Sequence, residues 1–112
     1  MDLLNQYLDN NPGLVILKFG ATWCGPCKTI EQDVLNGFRN MPSNVKCYMI
    51  DVDENPKLYS FFKSKRMFNG VPALLCYYKD NTSYIPNDII IGADKRELYG
   101  FFARCRNQSI EN

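Results

Sequence analysis

The stretch Trp23-Cys24-Gly25-Pro26-Cys27-Lys28 is the most informative part of this sequence. It follows an apolar run typical of a buried strand, residues 14–17, and precedes a helical pattern over residues 29–38. The free N–H groups and the positive dipole end of a helix stabilise a thiolate on a cysteine at its start. Two cysteines at such a strand-to-helix junction therefore predict a dithiol–disulfide exchange site.

Length and composition indicate one ordinary globular domain, covering residues 1–112. The formal net charge of +1 gives no reason to expect binding to nucleic acid or to an anionic membrane surface. The sequence has no run of eighteen apolar residues and no secretory signal pattern, so we expect no membrane span and a cytoplasmic location.

Three further cysteines stand singly in the sequence, which is a poor disulfide framework. Cys47 and Cys76 lie in apolar, strand-like runs, where we expect reduced core residues. Cys105 lies between two arginines that could lower its pKa, but we expect a partly exposed structural thiol. These features favour a reducing compartment. The absence of histidine excludes zinc sites with histidine ligands and cysteine–histidine nucleophiles.

The hydrophobic pattern predicts four helices and four strands in the order α-β-α-β-α-β-β-α. The predicted helices are residues 2–9, 25–39, 56–65 and 95–104, and the predicted strands are residues 14–19, 45–52, 73–78 and 85–91. The strand–helix–strand unit predicts parallel pairing, whereas the last two strands form a hairpin. We therefore expect an α/β fold with a mixed sheet, helices on both faces, and a frayed tail at residues 107–112.

The sequence resembles the thioredoxin family from residue 14 onward. The matching segments are residues 21–28 (ATWCGPCK), 51–56 (DVDENP), 71–75 (VPALL) and 92–98 (GADKREL). The resemblance implies the thioredoxin fold and a protein-disulfide oxidoreductase that reduces disulfides through a Cys24–Cys27 redox pair. It also implies that Cys24 is the exposed nucleophile and that Cys27 is the buried resolving thiol.

The same resemblance implies roles for the neighbouring residues. Gly25 and Pro26 form the stiff link between the cysteines, and Trp23 shields the pair and contacts partners. Pro72 resembles the cis-proline of the family, Val71 offers backbone groups to an extended substrate, and Gly92 lets a substrate backbone approach. The expected partners are disulfide-containing proteins and a flavoprotein like thioredoxin reductase. No cofactor or metal is expected, because the disulfide itself carries the electrons.

Lys18 departs from the family pattern, because thioredoxins carry a buried aspartate six residues before the first cysteine. The position of a compensating lysine on the adjacent strand is Met49. A charged Lys18 would stabilise nearby thiolates, a neutral one could accept a proton, and a lysine that extends to solvent would do neither. Our hypothesis is that Lys18 raises the reduction potential of the pair.

The sheet is expected to have about four strands, because too few residues precede the first strand for the first strand of the family. Residues 45–52 would then lie at an exposed edge, which could pair two chains, although we expect a monomer. The loop at residues 63–70 is longer than usual and could select partners or be merely solvated.

Three other readings of the chemistry stay open. Lys18 could poise the protein as a disulfide oxidase or isomerase. The domain could serve as an interaction module that retains the cysteine motif. Cys24 and Cys27 could also bind a metal or an iron–sulfur cluster across a dimer, with two ligands from each chain.

Overall fold

The protein is described by a computed structural model that covers residues 2–111. Its elements, in chain order, are α1 (Asp2–Leu8), β1 (Leu14–Gly20), α2 (Gly25–Arg39), β2 (Val45–Asp51), α3 (Pro56–Ser64), β3 (Ala73–Tyr78), β4 (Asp88–Ile91) and α4 (Lys95–Glu111). The predicted order of helices and strands is confirmed.

The four strands form one mixed sheet in the order β2-β1-β3-β4. Strand β1 pairs parallel with β2 through the α2 crossover and antiparallel with β3, and β4 forms a hairpin with β3. Strand β2 lies at an edge of this sheet, as expected. Because β1 is flanked on both sides, its carboxyl end at Gly20 opens near the middle of the sheet.

Both faces of the sheet are covered, because successive side chains of a strand point to opposite faces. On one face Val15, Leu17 and Phe19 pack with residues of α1 and α3. On the other face Leu14 and Ile16 pack with residues of α2 and α4. Lys18 has the same parity as Leu14 and Ile16, so the strand places it on the face that α2 covers.

The fourth strand is shorter than predicted, since β4 begins at Asp88 rather than at residue 85. Around the loop between β3 and β4, side chains rather than a neighbouring strand make hydrogen bonds to the backbone. Asn81 Nδ2 donates to the Ile85 carbonyl at 2.9 Å, and Asn87 Oδ1 accepts from the Tyr78 N–H at 2.8 Å. Pro86 has no N–H to give to a neighbouring strand.

The last helix is longer than predicted, and the expectation of a frayed tail is wrong for residues 107–111, which continue α4 to Glu111. Ser109 is buried, and its carbonyl accepts a hydrogen bond from Asn44 Nδ2 at 2.9 Å. This contact between distant parts of the chain holds the last turn in place. Residue 112 lies outside the described residues.

The long loop after α3 is not simply solvated. Phe68 is buried, and its ring lies 5.5 Å from that of Phe62 and 5.0 Å from that of Phe19. Arg66 takes a positive φ of 59°, which turns the chain after α3. Phe68 therefore belongs to the core, whereas Lys65 and Arg66 stay exposed.

Candidate functional site: a disulfide at a helix N-terminus

The candidate site lies where β1 ends and α2 begins. The Cys24 N–H donates to the Ala21 carbonyl at 3.2 Å, so residues 21–24 form a tight turn. Cys24 caps α2, and its sulfur accepts the Cys27 N–H at 3.1 Å. Pro26 lies in the first turn of the helix, where its missing N–H removes no helix hydrogen bond. The first cysteine therefore receives the helix N–H groups and dipole that lower a thiol pKa.

Cys24 and Cys27 are joined in a disulfide, with Cα atoms 5.2 Å apart. Both residues are buried, at 3% and 4% exposure. The expectation that Cys24 is exposed is wrong in this oxidised form. Its sulfur lies 3.5 Å from the Val71 carbonyl oxygen, which approaches the pair from the neighbouring loop.

A cis peptide bond joins Val71 and Pro72, as the resemblance implied. The Pro72 carbonyl accepts the Gly92 N–H at 2.8 Å, which ties the start of β3 to the end of β4. Gly92 takes a φ of +101°, a conformation that favours glycine. A side chain added there would meet no atom within 4 Å, so the space beside Gly92 is open.

Trp23 is 64% exposed beside the disulfide. Its Nε1 donates to Asp53 Oδ2 at 2.8 Å, and the Asp53 N–H donates to Asp51 Oδ1 at 2.8 Å. The indole is thus held by the loop that follows β2. Sequence reasoning considered Asp53 only as a possible cap of the helix that begins at Pro56, and it missed the bond to Trp23; the N-cap is Asn55.

A cavity of about 550 Å³ lies behind the disulfide. Its lining comprises Lys18, Gly20, Ala21, Thr22, Cys27, Lys28, Glu31, Met49, Ile50 and Asp51. Lys18 is only 7% exposed, which excludes the reading that it extends freely into solvent. Burial lowers the pKa of the Lys18 ammonium, and Glu31 and Asp51 partly oppose that shift. Met49 pairs directly with Lys18 across β1 and β2, at the position that the sequence indicated.

The other three cysteines are free thiols away from the disulfide. Cys76 is buried, as predicted, whereas Cys47 is only half-buried. Cys105 is 1% exposed, so the expectation of a partly exposed thiol is wrong. It faces the core from α4 and forms a hydrogen bond with Cys76. That bond and burial raise the pKa of Cys105, and burial raises the pKa of Cys47 to about 12.

No helix within residues 2–111 has the length and apolar character needed to cross a membrane. In the same described range, no cluster of three or more His, Cys, Asp or Glu side chains is arranged to hold a metal ion. The disulfide is the chemically distinctive group of the site.

These features define the class of protein: a four-stranded α/β domain whose Cys-x-x-Cys disulfide lies at a helix N-terminus, opposite a cis-proline. The family model described as Thioredoxin matches residues 2–103. The chain therefore belongs to the thioredoxin family, and its fold is the thioredoxin fold.

Curated relatives and solved structures agree with this assignment. A chloroplastic thioredoxin M3 of Oryza sativa is 25% identical over 84% of this chain. A thioredoxin of Staphylococcus saprophyticus is 31% identical over 76% of this chain and 74% of its own length. The structure of a Trichomonas vaginalis thioredoxin superposes with a TM-score of 0.75 at 26% identity, covering 92% of this chain and 88% of its own.

The chain spans about half the length of the first curated relatives that it matches. The aligned share is 54% of the rice protein and 50% of a Drosophila melanogaster thioredoxin.

Proposed function

We propose that this protein is a thiol–disulfide oxidoreductase that reduces disulfides of other proteins through Cys24 and Cys27. The observation that carries the proposal is the disulfide at the start of α2, with the Cys27 N–H directed at the Cys24 sulfur. A sulfur in that position is stabilised as a thiolate, which is the form that attacks a disulfide.

The exchange proceeds in two balanced steps. In the reduced protein the Cys24 thiolate attacks one sulfur of a substrate disulfide, forming a mixed disulfide and releasing the other sulfur as a thiolate that takes up a proton. Cys27 then loses its proton and attacks the Cys24 sulfur, which breaks the mixed disulfide and releases the second substrate thiol. Two electrons pass to the substrate, and the Cys24–Cys27 disulfide re-forms.

The substrate is proposed to bind across the disulfide as an extended segment. Trp23 offers an exposed aromatic surface on one side, and the open space beside Gly92 lies on the other. Val71 and Pro72 line the approach between them, where an extended backbone finds polar main-chain groups. Gly25 lies exposed at the helix start and gives the substrate room to reach the sulfur.

The proposed cycle also needs a source of electrons. We assign this role to a flavoprotein of the thioredoxin reductase type, which reduces the disulfide without a further bound cofactor. Three free thiols fit a reducing compartment such as the cytoplasm, where the protein would act as a monomeric electron carrier of a single domain.

A cysteine trap tests the function and the two roles. Cys27→Ser retains the attacking sulfur, so it is expected to accumulate a stable mixed disulfide with a disulfide-containing protein such as insulin. Cys24→Ser is expected to form none, and both variants should reduce insulin no faster than dithiothreitol alone. Cys47→Ala, which removes a half-buried thiol elsewhere, is the matched control and should retain the wild-type rate.

Other outcomes would overturn the proposal. Insulin reduction by wild-type protein at the rate of dithiothreitol alone would favour an interaction module. Iron or zinc bound to the purified protein would favour the metal-binding reading. If the protein oxidises reduced substrate proteins in preference to reducing their disulfides, an oxidase or isomerase function would be favoured. Lys18 is the residue that suggests this alternative.

A further inference from the structure

Lys18 is the unusual group behind the disulfide. Strand β1 is buried along its whole length, and this is the one lysine or arginine that it carries. Its side chain is more than nine-tenths buried, although a lysine ordinarily keeps its charged end in water. A buried ammonium is unfavourable unless an opposite charge is near or the group loses its proton.

The Lys18 ammonium lies close to the sulfur of Cys27. A Cβ atom built on Gly20 would lie 2.5 Å from Lys18 Nζ and 3.6 Å from Cys27 Sγ. Because both distances are measured from the same point, Lys18 Nζ and Cys27 Sγ are at most about 6 Å apart. An opposite charge within about 4–6 Å favours the charged form of an ionisable group. The Lys18 ammonium is therefore close enough to act electrostatically on the sulfur of the resolving cysteine.

Among the side chains that the structure describes, residues 3–111, no carboxylate lies within ion-pair distance of Lys18, since the ion pairs found there involve Lys95 and Arg104. Glu31 from α2 and Asp51 from β2 line the same cavity and act on Lys18 at longer range. Lys28 of α2 is the remaining charged group there. Met49, directly across from Lys18 on β2, is uncharged. Among these described side chains the Lys18 ammonium therefore has no direct counter-ion until Cys27 loses its proton.

We propose that Lys18 is an electrostatic positioning residue that stabilises the Cys27 thiolate and so raises the reduction potential of the Cys24–Cys27 pair. The inference rests on the proposed disulfide exchange. Reduction by glutathione adds two electrons, breaks the S–S bond and leaves two separate sulfurs that together bind up to two protons. An ammonium beside Cys27 favours this reduced state over the neutral disulfide. In the resolving step the Cys27 proton leaves to solvent, and Lys18 stabilises the negative sulfur.

The equilibrium with glutathione tests this directly, because it needs no substrate protein. Lys18→Met removes the charge and keeps an unbranched side chain, whereas Lys18→Arg keeps the charge and is the matched control. Lys18→Met is expected to shift the equilibrium toward the protein disulfide about tenfold, which corresponds to a potential about 30 mV lower. Lys18→Arg should retain most of the wild-type value. The fluorescence of Trp23, the single tryptophan, reports the redox state.

The pKa of Cys27 provides a second readout that a merely structural lysine would not move. Measured by thiolate absorbance in a Cys24→Ser background, the Cys27 pKa is expected to rise when Lys18→Met is added. Gly20→Ala offers a third variant, because its new Cβ would crowd Lys18 Nζ without removing the charge. It is expected to lower the potential by less than Lys18→Met, and it keeps the proposal testable if Lys18→Met does not fold.

The outcomes separate this inference from the proposed function. An unchanged potential and an unchanged Cys27 pKa in Lys18→Met would overturn the inference, even if insulin reduction were intact. An equal shift in Lys18→Arg and Lys18→Met would also overturn it, since the charge would then not be the cause. A potential that depends on the Lys18 charge in a protein without reductase activity would support the inference and overturn the function.

Discussion

The five cysteines fall into two groups that share one side of the sheet and have opposite environments. Cys24 and Cys27 lie at the carboxyl end of β1, where the start of α2 supplies N–H groups and the cavity supplies an ammonium. Cys47, Cys76 and Cys105 lie in or against the apolar cluster between the sheet, α2 and α4. Nearby positive charge and N–H donors favour a thiolate, whereas burial in apolar surroundings disfavours it. The environment, not the residue type, decides which thiols are reactive.

Alkylation of the native, reduced protein should show the largest difference between the two groups. Because burial raises the Cys47 pKa from 9.0 to about 12, its thiolate fraction at neutral pH falls about a thousandfold. Iodoacetamide should therefore modify Cys24 long before Cys47, Cys76 or Cys105, as followed by peptide mass spectrometry. In denaturant all five should react at similar rates. Equal rates for Cys24 and Cys105 in the native protein would contradict the comparison.

The buried thiols should also make the folded protein less stable in alkali. In the unfolded chain a thiol loses its proton near its ordinary pKa of 9.0, whereas folded Cys47 keeps its proton to about pH 12. The unfolded state then binds fewer protons, so the free energy of unfolding falls as the pH rises through this window, by up to about 1.4 kcal/mol per pH unit for each thiol. Urea unfolding of the oxidised protein at increasing pH measures this slope.

Cys47→Ala is the matched variant for the alkaline experiment, because it removes one titrating thiol. Its slope above pH 9.0 should be smaller than that of the wild type. Tyr77, whose pKa burial raises, and Cys105, whose pKa is raised by hydrogen bonding to Cys76 and by burial, should account for part of the slope that remains. A wild-type free energy of unfolding that stays constant through this pH range would show that folding does not raise the pKa values of these groups.

The smallest expected effect concerns Trp23, whose bond to Asp53 is exposed. Trp23→Phe keeps an aromatic ring and removes the Nε1 donor, so it should cost about 0.5–1 kcal/mol in the free energy of unfolding. A double-mutant cycle with Asp53→Ala isolates the interaction from other effects of each change. Strictly additive effects in that cycle would mean that this hydrogen bond contributes nothing to stability.

The features that were predictable from the sequence depend on local signals. The apolar strand before Cys24, the turn and the amphipathic helix after it predict the strand–helix junction within a residue or two. The resemblance to the thioredoxin family supplied what local pattern could not, namely the cis bond before Pro72. The resemblance also singled out Lys18, as a departure from the family pattern six residues before Cys24, and the structure places it on the same face of β1 as Ile16.

The features that were missed depend on contacts between distant residues. The last turn of α4 is polar in sequence, and it is held by the bond from Asn44 to the Ser109 carbonyl. Two flanking arginines made Cys105 look exposed, but its position on α4 turns it toward Cys76. Phe68 follows a run of exposed residues, yet its ring completes an aromatic cluster with Phe19. Such contacts have no signature within a short window of sequence.

The bond between Asn44 and Ser109 has a practical consequence for attaching this protein to something else. It fixes the end of α4 beside the residue that precedes β2, and the Leu14 N–H donates to the Asn44 carbonyl at 3.1 Å. The end of α4 therefore lies at the amino end of β1, whereas the disulfide lies beyond the carboxyl end. At about 3.3 Å per residue, the seven residues of β1 separate the two by roughly 20 Å. If the protein were attached to a surface or to a fusion partner through a linker after α4, the disulfide would face away from the point of attachment.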